Sequence, residues 1–311
     1  MIYTCTFNPS LDYIMTLDKE GIQIGSLNRA KKTVIGPGGK GINVSILLSN
    51  IGVESTLFGF VAGFTGIYLI EELKKFPKLN LQFTQVEGLT RINVKLKENQ
   101  ETEINGNGPT IQKDDYDRML NQFKALNEED IVILSGSAPL GCENIYADVS
   151  SILHQKGIRF IVDANKRSLL STLRYKPFLI KPNIHELEEL FNVQINSLDE
   201  IIAYGNEARK LGAQNVLISL GGDGSILISD EGIYKASVPE GELVNSVGAG
   251  DSMVAGFVYR YTETNNLVSA YQYAAACGSA TAYSLGIANK ALIEELLGQI
   301  QIEKIEEMNM L

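Results

Sequence analysis

One run narrows what this chain can fold into more than any other: Val244-Asn245-Ser246-Val247-Gly248-Ala249-Gly250-Asp251-Ser252, leading into the apolar stretch Met253-Val254-Ala255-Gly256-Phe257. Gly248, Ala249 and Gly250 carry little or no side chain. Their backbone N–H groups can therefore close on an anion at a helix start, where the dipole is positive. Asp251 then stands where a phosphoryl group would arrive. The segment reads as a phosphate cradle with a base attached, although the same spelling also serves as a tight turn with an acidic residue near an N-cap.

A second glycine-rich turn, Gly36-Pro37-Gly38-Gly39-Lys40-Gly41-Ile42-Asn43, opens an amphipathic helix that Gly52 would close. It fits neither the P-loop spacing nor the dinucleotide fingerprint. Lys40 and Asn43, three apart, share a helix face and offer a cation and an amide to a polyhydroxylated anion.

Apolar runs at Ile131–Leu134, Phe160–Val162, Phe178–Ile180 and Val216–Ile218 alternate with helical periodicities, the pattern of a buried parallel sheet flanked by helices. One helix starts at the capping box Ser197-Leu198-Asp199-Glu200 and stops at Gly212, and another carries Tyr116, Met119, Leu120 and Phe123 on one face. The strand exits Ser135-Gly136-Ser137, Asp163-Ala164-Asn165, Lys181-Pro182-Asn183 and Ser219 to Gly224 should line one cleft. Around 11–17, 30–36 and 90–106 the pattern changes. Arg91, Asn93 and Lys95 alternate with Ile92, Val94 and Leu96, as in a small two-faced antiparallel sheet that would form a lid. No repeat or linker divides residues 1–311, which are expected to form one domain with that lid.

Composition excludes several functions. A net charge of −10 argues against nucleic acid and anionic membrane surfaces, so an anionic substrate needs a local cluster of cations, with Arg29, Lys31, Lys32, Lys40, Arg91 and Lys95 as candidates. Cys5, Cys142 and Cys277 are too far apart for a C-x-x-C site, and no apolar run of about 18 residues occurs, so a cytoplasmic chain with no membrane span is expected. His154 and His185 are the only histidines, and His185-Glu186-Leu187-Glu188-Glu189 is not a zinc-hydrolase motif.

Taken together, six segments resemble the signatures of the PfkB, ribokinase-like, carbohydrate kinases. They are Asn8-Pro9-Ser10-Leu11-Asp12, Pro37 to Asn43, Thr90-Arg91-Ile92-Asn93-Val94, Glu101 to Gly106, Lys181-Pro182-Asn183 with Glu186, and Asn245 to Phe257. The resemblance implies an α/β fold, a three-layer αβα arrangement with a mostly parallel central sheet and a small β-sheet lid, which often pairs with the lid of a second subunit in a homodimer. It implies in-line phosphoryl transfer from ATP with Mg2+ to a phosphosugar. Within the family the lid runs are most similar to the branch that converts fructose 1-phosphate to fructose 1,6-bisphosphate, with tagatose 6-phosphate or fructose 6-phosphate as the alternative.

The implied roles are these. Asp251 is the base, and Gly248, Ala249 and Gly250 stabilise the transferred group. Lys40 and Arg91, with Arg29, bind the sugar's phosphate, while Asp12, Gly38, Gly39, Asn43, Asn93 and Glu103 complete the sugar site. Lys181, Asn183, Ser219, Gly221, Gly222, Asp223, Gly224 and Gly250 face the nucleotide, near the small-residue helix Ala274–Ala280. Glu186, with Asn183, acts on magnesium through its waters. The chain departs from the family at Asn165-Lys166-Arg167, where two cations replace a small turn. A dehydrogenase would need a glycine-rich turn after the first strand, where Asn8-Pro9-Ser10 stands instead. A non-catalytic sugar-phosphate sensor would have no use for Asp251.

Overall fold

The computed structural model describes residues 1–17, 21–97 and 101–305. In chain order, β1 (Ile2–Thr6) is followed by β2 (Ser10–Thr16), β3 (Lys32–Gly38), α1 (Lys40–Asn50), β4 (Ser55–Ala62), α2 (Gly63–Leu73) and β5 (Leu79–Val86). Next come β6 (Arg91–Lys97), β7 (Glu101–Asn105), α3 (Lys113–Lys124), β8 (Ile131–Gly136), α4 (Ile145–Gln155) and β9 (Arg159–Ala164). Then follow α5 (Lys166–Leu173), β10 (Leu179–Ile180), α6 (Ile184–Phe191), α7 (Leu198–Lys210), β11 (Asn215–Ser219), β12 (Ser225–Ser229) and β13 (Gly232–Ala236). Last are α8 (Ala249–Thr264), α9 (Leu267–Ala282), α10 (Lys290–Leu297) and β14 (Ile302–Ile305).

The apolar spelling of β8 shows why the molecule has three layers. Side chains alternate along a strand, so a run that is apolar at every position needs cover on both faces. Val132 and Leu134 pack with α3 to α7, whereas Ile131 and Ile133 pack with α1, α8, α9 and α10. The ten-stranded sheet runs β14-β13-β12-β11-β10-β9-β8-β1-β4-β5. From β5 to β11 every neighbouring pair is parallel, and β12, β13 and β14 continue antiparallel at one edge.

Two expectations need correction. First, α1 is not amphipathic: Ile42, Val44, Ser45, Ile46, Leu47, Leu48 and Ser49 are all buried, because β1, β4, β8 and α8 enclose the helix. Only Gly39, with φ of 131°, makes a turn there, since Gly36 to Gly38 belong to β3. Gly52, at φ 88°, does close α1, donating to Ser49 O. Second, the lid sheet β3-β2-β6-β7 is mixed: β2 pairs antiparallel with β3 but parallel with β6. The cause lies beneath the lid, where β1 feeds β2 and β5 feeds β6 from the same end of the parallel sheet.

The Ser197 side chain caps α7 by accepting from Glu200 N, but the Glu200 carboxylate accepts from Asn196 N, so the expected reciprocal box is only half formed. At the start of α1, a Cβ on residue 39 would lie 2.6 Å from Thr6 Cγ2, at a backbone angle that L side chains rarely adopt. Gly39→Ala should therefore lower unfolding free energy by about 2 kcal/mol or more. Urea denaturation checks this, and an unchanged midpoint would contradict the strain at this turn.

Candidate active site

A cleft of about 1210 Å³ opens at the carboxyl ends of the parallel strands and under the lid, larger than one small ligand requires. Its centre is the start of α8. Gly248 takes a left-handed conformation at the N-cap, φ 82°, and turns the chain so that successive amides face one way. The Ala249 N–H donates to Ser246 O at 3.2 Å. Those of Gly248, Gly250 and Asp251 have no acceptor among the described residues, so the amides open to an anion include Asp251 rather than Ala249.

The Asp251 carboxylate is buried and accepts from Asn43 Nδ2 at 2.8 Å, which makes Asn43 the partner of that carboxylate. Burial pushes the Asp251 carboxyl up to about 6, and the nearby Asp163 charge adds to the rise, against the opposing pull of Lys40 and of the Asn43 bond.

Lys40 sits elsewhere than its sequence reading put it. Its ammonium donates to Asp163 Oδ1 at 2.7 Å and Glu186 Oε1 at 3.2 Å, at the strand exits rather than under the lid. Burial alone would depress the Lys40 ammonium, but Asp163, Glu186 and Asp251 together hold it above its ordinary value. Strand register brings in a second lysine. Val162 of β9 lies opposite Ile180 of β10, so Asp163 and Lys181 follow side by side, with Lys181 Nζ 3.5 Å from Asp163 Oδ2. Burial pulls the Asp163 carboxyl up, yet Lys181 and Lys40 prevail and hold it low.

The lid supplies the polar roof. Asp12 and Asn93 are opposite each other in register, as are Lys95 and Glu103. Asp12 Oδ1 accepts from Ser10 Oγ at 2.8 Å and Asn93 Nδ2 at 3.1 Å, while Lys95 Nζ bridges Asp12 and Glu103 at 3.2 Å each. Arg91 borders the cleft with its Nε donating to Asn8 O at 3.1 Å and one terminal nitrogen donating to Gly106 O at 3.5 Å, which leaves the other terminal nitrogen without a protein partner among the described residues. Gly38 is a spacer: a Cβ there would lie 2.2 Å from Asp12 Oδ1.

At the other end the cleft is lined by Ser219, Gly221, Gly222 and Gly224, with Ala275, Gly278, Ser279 and Tyr283 of the α9 region. Arg29 is exposed and Asp223 is also on the surface, and neither borders the cleft. Of the departure at Asn165-Lys166-Arg167, only Asn165 borders the cleft, where it caps α5, while the two cations do not: Lys166 bonds Glu189 O and Arg167 is exposed. Sequence reasoning gave Asp163 and Asn8 no individual role and named Lys95 only among the candidate cations. For Asp163 the signal was its place at the exit of a parallel strand.

Among the described residues no cluster of three or more acidic, His or Cys side chains could hold a metal ion. Asn183 and Glu186 form the full capping box of α6, each side chain accepting from the other's N–H. This leaves one partly exposed carboxylate, Glu186, beside the lysines. That donor set fits a magnesium ion carried by phosphates and met through water.

The profile of the pfkB family carbohydrate kinases matches residues 6–293. The chain belongs to this family. It is 44% identical to the 1-phosphofructokinase of Bacillus subtilis (strain 168) over 98% of this chain and 100% of that protein. It is 35% identical to the D-tagatose-1-phosphate kinase of Bacillus licheniformis, over 97% and 99% of the two chains. Among solved structures, phosphofructokinase-2 from Escherichia coli in complex with substrates and products superposes with a TM-score of 0.88 at 26% identity, covering 96% of this chain and 98% of that one. The ribokinase-like three-layer fold follows, and with it a phosphotransferase whose acceptor is a hydroxyl. No helix among the described residues is long and apolar enough to cross a membrane.

The buried carboxylate of this kinase has a stability consequence. Because the folded-state pKa of Asp251 is raised, its favourable contribution is fully present below the unfolded carboxyl pKa and is lost as pH rises from there through about 6. Asp251→Asn should thus be more stable than the parent at pH 8 by about 1 to 3 kcal/mol, with the gain shrinking toward pH 4. Thermal melts across that range check it, and a less stable variant at pH 8 would contradict the unfavourable burial.

Proposed function

We propose that this enzyme transfers the γ-phosphoryl group of ATP to the free primary hydroxyl of fructose 1-phosphate, giving fructose 1,6-bisphosphate. The observation that carries this reading is Asp251, a buried carboxylate with a raised pKa, beside unpaired amides at a helix start, in a cleft with a polar lid at one end and a glycine-rich loop at the other. A base whose pKa lies just below working pH is both ionised and strong enough to take a hydroxyl proton.

Under the lid, Asp12, Asn93 and Asn105 present one polar row to the sugar hydroxyls. Asn8 and Asn93 also border the cleft, and each keeps a buried Oδ1 with no hydrogen-bond partner. Arg91 is the cation for the sugar's own phosphate, its planar fork suiting two oxygens. Lys95, already shared between Asp12 and Glu103, orders that roof. Lys40 is reassigned from the sugar phosphate to the transfer step, because its contacts are at the strand exits. The amides of Gly250 and Asp251 would take charge developing on the transferred group. Magnesium, met by Glu186 through water, would neutralise nucleotide phosphates. Gly221, Gly222 and Gly224 leave room for the nucleotide beside α9.

Both relatives named above for sugar phosphates act on a ketohexose 1-phosphate, which favours that arrangement over a 6-phosphate, and a tagatose phosphate is the second reading. The lid's outer face exposes Ile35, Ile92 and Ile104, a surface that a second copy of the chain would cover. Three buried free cysteines suit a reducing cytoplasm.

An assay of ADP release over fructose 1-phosphate, fructose 6-phosphate, tagatose phosphates and free fructose tests the reading. Fructose 1-phosphate should exceed fructose in kcat/KM by about 10³, since two charge-assisted contacts are at stake. Comparable rates with unphosphorylated sugars would overturn it. Arg91→Ala should raise KM for the phosphosugar by about tenfold or more while changing kcat less.

The pH profile tests the base. The free-enzyme kcat/KM should rise with pH up to about 6 and stay level above it, because Asp251 must be ionised to accept the proton. Asp251→Asn should lower kcat by about 10²-fold or more and abolish that limb. A profile flat to pH 5 in the parent enzyme would exclude Asp251 as the base.

A further inference from the structure

One buried ionisable group at the centre of the molecule is unused by the reading above. Asp163 is 1% exposed at its side chain and does not border the cleft, yet both of its oxygens are turned to lysines that do. For Lys181, Asp163 is the sole carboxylate within 4 Å among the described residues, and Lys181 is itself 5% exposed. A buried ammonium needs a nearby anion to stay where it is. The place where Lys181 is kept is telling. A Cβ on Gly250 would lie 2.8 Å from Lys181 Nζ, so this cation rests directly against the start of α8 and its open amides. Lys40, on the other side, donates both to Asp163 and to Glu186, whose second oxygen is committed to the α6 cap.

We propose that Asp163 is the positioning residue of the transfer site, holding Lys40 and Lys181 as a pair of cations on either side of the α8 start. The inference rests on the phosphosugar-kinase reading. Lys181 and Lys40 are then the side chains that meet the group in flight, and Asp163 fixes their spacing from beneath without touching a ligand. Lys40 is tied to that carboxylate by a 2.7 Å hydrogen bond and Lys181 stands 3.5 Å from its other oxygen, so the shared charge opposes the departure of either lysine with the phosphate. Asp163 also acts on the base: of the groups facing Asp251, it is the anion, against Lys40, Lys181 and the Asn43 amide.

Asp163→Asn keeps the shape and removes the charge. With the parent enzyme active on fructose 1-phosphate in the same assay, the variant should lose about tenfold or more in kcat with phosphosugar KM changed by less than about threefold. The acidic limb of its kcat/KM profile should move to lower pH, since the anion that opposes ionisation of Asp251 is gone, and the magnesium concentration for half-maximal rate should not change. Unchanged kcat with an unmoved limb would overturn the proposal. So would a raised magnesium requirement with kcat restored at saturating metal, which would make Asp163 a metal ligand. If the variant does not fold, Gly250→Ala provides the second arm, because its methyl group displaces the Lys181 ammonium while leaving Asp163 intact. It should show the same kcat-selective loss, and a normal kcat in that variant would also overturn the proposal. An inactive parent enzyme would count against the kinase reading and not against the role of Asp163.

Discussion

Burying charge is the constraint on which the rest of this molecule depends. At the strand exits, Asp163, Glu186 and Asp251 meet Lys40 and Lys181, three carboxylates against two ammonium groups. Water cannot solvate the deepest of these, so the protein must match them or leave one of them under-compensated. The lysines are drawn to Asp163 and Glu186, and Asp251 is left with one amide. Burial raises the pKa of that carboxyl first, and the neighbouring Asp163 charge adds to the rise. Removing a lysine would worsen the imbalance of charge, and removing a carboxylate would relieve it.

The fold creates the cluster through register more than through sequence proximity. Asp163 and Lys181 are eighteen positions apart in the chain, but parallel pairing of β9 with β10 makes them neighbours. Lys40 and Asn43 come from α1, one turn of which reaches both the strand exits and the base. Gly39 and Gly248 let α1 and α8 begin at this point, each with a backbone angle closed to other residues. Both glycines open helices whose N-termini point at the cleft, so local conformational freedom and long-range electrostatics converge on the same few atoms.

Much of this was legible in the amino-acid order. The four core strands, the lid segments and the glycine run before Asp251 are spelled by residue type and spacing, which are local properties. What the spelling lacked was pairing. Lys40 looks like a free cation until β9 and α6 bring two carboxylates to it, and the Asn43 amide has no visible partner until α8 brings Asp251. The alternating lid pattern gave the right faces, but strand direction is set by which core strands feed it, a topological fact. Arg29 and the Lys166-Arg167 pair show the reverse limit: charge alone does not tell whether a side chain faces a cleft or the bulk solvent.

The parts of the transfer site are spread along the chain in a telling order. Asn43 and Lys40 emerge early, Asp163 and Lys181 near the middle, and Asp251 only with α8, about four-fifths of the way through. A chain growing from the ribosome has therefore made the lid and every parallel strand before Asp251 exists, yet the face of the sheet that α8, α9 and α10 cover is still bare. The helices that complete the core on that face also complete the cleft, so the Asp251 carboxylate arrives only with the cover that the parallel strands need.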